Sequence, residues 1–286
     1  MKRAVAALLV AACGGGDATG APDAPRGGDA GADALRDGAI DARPPLLGVD
    51  CAAPLTAPPA ALALDPFYTK YLDIAGLPLI SSSVVRDAAF PVACDILVHM
   101  LAKRPEIIGT LAQTKIRVGI MAESEVTTDM PEHSDLDEAF PGTDWDTRAR
   151  GLGATAARPL SSVGEENLLQ LASDVYAGEN ILVHEFGHTF FDMGVARGPG
   201  GSARLAELTS LYNAAIQAGT YANTYAATNY QEYWAEALQS YYDVNLEAVP
   251  SNGIHNAIDT RVELRAADPD LVDFIELYFE DDAYRP

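Results

Sequence analysis

The sequence predicts an α+β fold, with at least one sheet strand in the first half of the chain and mainly helices in the second. In the first half, Lys115 to Met121 alternates so that Ile116, Val118 and Ile120 point to one side, which is the period of a strand. In the second half, apolar residues recur at the spacing of buried helix faces, in segments 168–171, 181–191, 204–218, 230–245 and from 268 onward.

Local signals place the remaining elements. The first dense cluster of apolar and aromatic residues begins near Leu62. A helix is predicted from Ala88 to Ala102, with Pro91 tolerated in its first turn and one apolar face. Residues 124–165 are rich in Pro, Gly, Asp and Thr, which is typical of long surface loops around a site. The last helix starts at Asp268-Pro269, and its buried face is predicted to consist of Leu271, Phe274, Ile275 and Tyr278.

The composition limits the function classes. Hydrophobic residues make up 48% of the 286 residues, which is enough for a sizeable core. The formal net charge is -22, from 41 acidic and 19 basic residues. Such a charge repels phosphate backbones and anionic lipid surfaces, so we expect no nucleic-acid partner. The acidity is typical of an exported soluble protein and also favours basic substrates.

The N-terminus predicts export. Residues 1–12 read as a signal peptide, because a basic start precedes a short apolar run. The run ends at Cys13 in a pattern that resembles a bacterial lipobox, so we expect Cys13 to carry lipid and to anchor the protein outside the cytoplasm, on the cell envelope. An ordinary secretory signal and a secreted protein are the alternative. Residues 13–60 lack aromatics and apolar periodicity and are predicted to be a disordered tether, which leaves 61–286 as the folded domain.

Cys51 and Cys94 remain as a pair if Cys13 is lipidated. Export to an oxidising compartment favours a disulfide between them, which would pin the end of the tether to the first helix. Two free buried thiols are the alternative.

The segment His184-Glu185-Phe186-Gly187-His188 carries the strongest chemical signal. Its two histidines are four positions apart, so on a helix they lie on one face and can bind one metal ion. Glu185 then lies beside the metal, where it can act on a water molecule. A structural pair of helix histidines is the alternative. Only five histidines occur in the chain, which makes a chance match improbable.

A catalytic zinc site needs a third protein ligand. The metzincin pattern, with a histidine six residues after the second one, fails because Gly194 stands there. Asp192 lies one turn past His188 on the same helix and would not easily close a tetrahedron. Glu232 is the better candidate, because a loop and an antiparallel helix fit between it and His188. Glu236 lies four positions further on, and one carboxylate of this pair can bind metal while the other accepts a hydrogen bond from a ligand histidine.

The segments 184–188, 225–232 and 233–237 together resemble the catalytic core of the anthrax lethal factor family, which includes the secreted Pro-Pro endopeptidases. The resemblance covers roughly residues 180–240. It implies a zincin-like metallopeptidase domain of the gluzincin type, with one Zn²⁺ per chain. It also implies His184, His188 and Glu232 as ligands, Glu185 as general base and Tyr225 as an electrophilic helper.

The prediction is therefore an extracytoplasmic zinc endopeptidase that acts as a monomer on a peptide or protein substrate and touches the membrane only through its lipid anchor. We expect the extended substrate to pair with an exposed strand edge, Lys115 to Met121. The alternative function is a catalytically inactive zinc-binding surface or adhesion module. Glu185 argues against it, because a purely structural metal site needs no base.

Overall fold

A five-stranded mixed sheet forms the first part of the fold in the computed structural model, which describes residues 46–286. The strands are β1 (Lys70–Ile74), β2 (Leu77–Ser81), β3 (Arg117–Met121), β4 (Gly151–Leu152) and β5 (Leu160–Gly164). Their order across the sheet is β1-β2-β3-β5-β4. The two inner pairs, β2 with β3 and β3 with β5, are parallel, whereas the outer pairs are antiparallel.

Helices make up most of the second half, so the predicted α+β class is confirmed. The helices are α1 (Ala89–Ala102), α2 (Glu106–Gln113), α3 (Leu136–Ala139), α4 (Trp145–Arg148), α5 (Glu165–Leu168), α6 (Ile181–Thr189), α7 (Gly201–Ala218), α8 (Tyr230–Tyr241), α9 (Arg261–Ala267) and α10 (Pro269–Ile275). A π-helical segment, Phe190–Val195, continues α6 directly. No helix in the described part of the chain has the length and apolarity needed to cross a membrane.

Both faces of the sheet are covered. On one face, Leu79, Val118 and Val163 belong to the main core, which also contains the buried sides of α1, α6, α8 and α10. On the other face, Ile80 and Leu160 pack with a smaller cluster under the loops. Strands β2 and β5 are buried at every residue, as is usual for the inner, parallel part of a sheet.

The central position of β3 corrects the predicted docking edge. Because β3 lies between β2 and β5, the segment Lys115 to Met121 has no exposed edge for a substrate strand. The two edge strands are β1 and β4. Of these, β4 packs on α6, so β4 is the edge beside the two histidines of that helix.

The segment 124–165 also differs from its predicted loop character. It contains β4, β5 and the short helices α3 and α4. Strand β5 was missed because its buried residues include Ser161 and Ser162, which interrupt the apolar pattern of a core strand.

The predicted tether and signal segments lie largely outside the described residues. This applies to the signal peptide 1–12, to Cys13 and to the tether as far as residue 45. The predicted tether end at residue 60 is too late, because Leu47, Val49 and Leu55 pack against the main core. Cys51 is joined to Cys94 in α1 by a disulfide with a Cα–Cα distance of 5.5 Å, within the usual range. Apolar side chains and a covalent link therefore hold residues 46–60 to the body.

Candidate metal centre

Helix α6 presents His184, Glu185 and His188 from a fully buried position. The helix begins after Asn180, whose side-chain oxygen accepts a hydrogen bond from the Val183 N–H at 3.0 Å. All nine residues of α6 are buried. The two histidines lie one turn apart on the same face, as predicted from their spacing.

Helix α8 brings Glu232 to the same place. Asn229 caps this helix by accepting hydrogen bonds from the N–H groups of Gln231 and Glu232 at 2.8 and 2.9 Å. Glu232 therefore lies in the first turn, where the helix dipole favours a carboxylate.

The two helices approach closely at Gly187, because a Cβ there would lie 2.9 Å from the Leu238 side chain. Trp234 fixes this contact by donating from Nε1 to the Gly187 carbonyl at 2.9 Å.

The ligand-bearing atoms of His184, His188 and Glu232 converge at one point. The Nε2 atoms of the two histidines are 3.1 Å apart, and they lie 3.2 Å and 3.3 Å from Oε2 of Glu232. Around a metal ion with bonds of about 2.05 Å, the ligand atoms of a tetrahedron are about 3.3 Å apart. The triangle therefore has the size of one face of such a tetrahedron. Within residues 46–286, His184, His188 and Glu232 are the group of three potential ligand side chains that come close enough together to hold a metal ion.

The electrostatics of the three residues also fit a cation. Burial raises the pKa of Glu232. The adjacent His188 and His184 rings together lower it by more, so that the pKa of Glu232 falls to about 2. Burial lowers the pKa of His188, but the charge and the hydrogen bond of Glu232 together with the charge of Glu185 raise it above its ordinary value. Three electron-rich atoms this close in a buried site repel one another unless a proton or a metal ion lies between them.

The outer nitrogen of His184 is held by Gln239, a residue that sequence analysis missed. Nδ1 of His184 lies 2.8 Å from Oε1 of Gln239, which is completely buried. The predicted partner, Glu236, is further away, with 3.6 Å between its Oε1 and the same Nδ1. Burial raises the pKa of Glu236 to about 7. Positions 232, 236 and 239 follow the i, i+4, i+7 spacing of one helix face, and this spacing is the signal that points to Gln239.

Removal of this hydrogen bond is expected to weaken metal binding. With its amide oxygen on Nδ1–H, Gln239 leaves the Nε2 lone pair of His184 free for the metal. We predict that Gln239→Leu lowers metal affinity about 10- to 100-fold, measured by competition with a chelator of known affinity. Gln239→Glu keeps an acceptor oxygen and serves as the matched control. Unchanged affinity in Gln239→Leu would show that this contact does not orient the ring.

Glu185 is positioned by the edge strand β4. The backbone of Gly153, just after β4, lowers the pKa of the Glu185 carboxyl, and a Cβ at Gly153 would lie 2.8 Å from the Cβ of His188. A Cβ at Gly151 would lie 3.0 Å from Cγ of Glu185. These two glycines therefore let the sheet edge lie directly on the site. Burial raises the pKa of Glu185, although the two histidines lower it.

Comparison with known proteins adds little to this geometry. No family model and no curated protein matches the chain. The fold is similar to a solved structure of the Pro-Pro endopeptidase PPEP-2 from Paenibacillus alvei, with 17% identity and a TM-score of 0.40. The match covers 65% of this chain and 91% of that one.

Tyr225 and Asp192 lie on the elements that flank the site. Tyr225 begins a short 3-10 turn, Tyr225–Ala227, ahead of α8, and its N–H donates to the Ile254 carbonyl at 2.8 Å. Its role as an electrophilic helper stays a prediction.

Asp192 lies in the π-helical segment, where its carboxylate accepts hydrogen bonds from Tyr230 and Gln231. It does not belong to the converging ligand group.

His133 ends the short 3-10 turn Pro131–His133 and is buried. It is 1% exposed, and its Nδ1 has no hydrogen-bond partner within residues 46–286. Burial lowers its pKa to about 4, against an opposing effect of the Glu132 charge. The unfolded chain therefore takes up this proton near pH 6.5, whereas the folded chain takes it up only near pH 4.

The stability of the fold should consequently fall as the pH drops from 6.5 to 4. The lowered pKa of His133 corresponds to a loss of about 3 kcal/mol over this interval. We predict that His133→Gln, which keeps a donor but does not titrate, loses less unfolding free energy between pH 7 and pH 4 than the wild type does. Both proteins are compared by urea denaturation in chelator, so that metal release does not contribute. Equal losses in the two proteins would contradict the assignment.

Proposed function

We propose that this chain is a zinc-dependent endopeptidase that acts outside the cytoplasm. The observation that carries the proposal is the convergence of His184, His188 and Glu232 beside the buried carboxylate of Glu185. Two histidines and a carboxylate form a ligand set typical of catalytic zinc, which keeps one coordination position open. A closed structural site would take a fourth protein ligand, and none belongs to this group in the described part of the chain.

The chain's own residues fit the remaining steps of amide hydrolysis. When bound, zinc supplies a Lewis acid that lowers the pKa of water to about 7 and polarises a carbonyl. Glu185, buried beside the ligand histidines, accepts the water proton and passes it to the leaving amine nitrogen. Its burial strengthens it as a base, because desolvation disfavours the ionised carboxylate. We assign the Tyr225 hydroxyl to stabilise the negative charge on the former carbonyl oxygen.

Substrate binding along β4 follows from the sheet order. β4 is an edge strand and packs on α6, so a peptide added to this edge passes next to the metal ligands. We propose this edge in place of Lys115 to Met121. The chain is further proposed to act as a monomer with a lipid anchor at Cys13. The Cys51–Cys94 disulfide supports the location outside the cytoplasm, since disulfides persist in oxidising compartments.

A peptide library tests the proposed activity. The full-length protein, loaded with zinc, is incubated with a mixed library of peptides, and new termini are identified by mass spectrometry. We expect internal cleavage that stops when a chelator removes the metal and resumes when zinc is restored. Folded, zinc-loaded protein that cleaves no peptide would favour the alternative of a zinc-binding module without catalysis.

A further inference from the structure

A cavity of about 330 Å³ adjoins the metal centre. His188 and Glu232 form part of its wall, so a side chain in the cavity belongs to a substrate residue next to the reacting bond. Most of the remaining wall is apolar and includes Ala154, Met193 and Leu205. The volume is sufficient for one large side chain, within the range of small-ligand pockets.

Asp192 places a carboxylate in this apolar wall. Its two hydrogen bonds, from the Tyr230 hydroxyl and from Nε2 of Gln231, are both long at 3.3 Å, and both donors are neutral. Within residues 46–286, Asp192 takes part in no ion pair, and the nearby charges of His188 and Arg197 act on it without a direct contact at ion-pair distance. Burial raises the pKa of this carboxyl. A partly buried carboxylate of this kind is stabilised by a cation at hydrogen-bond distance.

Arg197 also lines the cavity but does not supply that cation. Its side chain is exposed, and it forms no ion pair with Asp192. An exposed charge is screened by water and salt, whereas a partly buried one is screened much less. Apart from the metal ligands His188 and Glu232, the buried ionisable group in the cavity wall is therefore the carboxylate of Asp192. The net charge of -22 adds a general attraction for basic peptides.

We propose that the cavity selects substrates with a lysine or arginine side chain directly beside the scissile bond, and that Asp192 is the residue that determines this specificity. The aliphatic stem of the basic side chain packs on Ala154, Met193 and Leu205, while its charged end hydrogen-bonds the Asp192 carboxylate. This inference rests on the proposed peptidase function.

Two peptide sets that differ at one position test the proposal. One set carries lysine and the other norleucine, which has nearly the same stem without the charge, and kcat/KM is measured for each. We expect the lysine peptides to be cleaved about 10- to 100-fold faster, with lysine at one fixed position beside the cleaved bond. Asp192→Asn should remove this preference, so that the variant cleaves the lysine and norleucine sets with similar kcat/KM. Asp273→Asn, a surface change of the same charge outside the cavity, should keep it.

Binding is measured in parallel by calorimetry with the same peptides, in Glu185→Gln alone and combined with Asp192→Asn. Tighter binding of lysine peptides that depends on Asp192 supports the proposal. Equal affinity and equal cleavage of the two sets by protein with native Asp192, or a preference for acidic peptides governed by Arg197, would overturn it. If no peptide is cleaved by zinc-loaded protein, the peptidase function fails, and the calorimetric comparison still decides the preference of the cavity.

Discussion

Replacement of Glu185 by glutamine is expected to abolish peptide hydrolysis while zinc stays bound. The amide has nearly the same shape as the carboxylate but cannot accept the water proton. His184, His188 and Glu232 remain in place to hold the metal. We expect kcat/KM to fall by about 10²- to 10⁴-fold, the usual contribution of a positioned general base.

The control for this experiment is Glu207→Gln on α7. Glu207 is about half exposed and pairs with Arg204, so its replacement removes the same charge away from the metal centre. Its activity should equal that of the wild type. Zinc content is measured for every protein, so that loss of the base is distinguished from loss of the metal. Undiminished cleavage by Glu185→Gln would show that Glu185 is not the general base.

Replacement of Arg150 by methionine is expected to cause a large loss of stability. Arg150 forms a two-pronged ion pair with Glu166, with N–O distances of 2.6 and 3.0 Å, and the Glu166 side chain is only 4% exposed. It also donates to the carbonyls of Ala122 and Glu125. Without Arg150, the Glu166 carboxylate is buried without a cation, which costs about 3–5 kcal/mol of unfolding free energy.

Arg158→Met provides the matched comparison. Arg158 makes a similar two-pronged pair with Asp135, but that carboxylate is 60% exposed and can return to water. Its replacement should cost less than about 1 kcal/mol. Both values are read from urea denaturation followed by circular dichroism. Similar losses in the two variants would show that burial of Glu166 does not control the energetics. The Arg150 change should also lower activity, because Arg150 directly precedes β4.

The elements with strong periodicity were predicted well from the sequence. Helices α1, α6, α8 and α10 and strand β3 lie within the predicted segments, and α7 begins at Gly201, ahead of its predicted start at Arg204. The longest of these helices are α1, α7 and α8, with 14, 18 and 12 residues, so their apolar faces repeat over three or more turns. The spacing of Glu232 from the histidine pair also predicted a contact that the structure shows, because α8 returns antiparallel along α6.

The elements that shape the substrate side of the site were not predictable in the same way. Strand β4 has two residues, one of them glycine, which is too short for any alternation to appear. Gly151 and Gly153 are needed because they lie close to α6 in space. The two segments are far apart in the sequence, so no local sequence pattern indicates this contact. The sequence favoured Glu236 as the partner of His184 because a carboxylate is the stronger acceptor. In the structure the amide oxygen of Gln239 lies nearer to His184.

The central claim is that His184, His188 and Glu232 hold one zinc ion. The direct test is the zinc content of the full-length protein, measured by elemental mass spectrometry. The protein is first stripped of metal, then reloaded with excess zinc and passed through gel filtration. We predict about one zinc per chain in the wild type and in His99→Ala, whose ring instead stacks on Tyr284. His188→Ala and Glu232→Ala should retain almost none. Folded wild-type protein without zinc, or full zinc content in both ligand variants, would contradict the account.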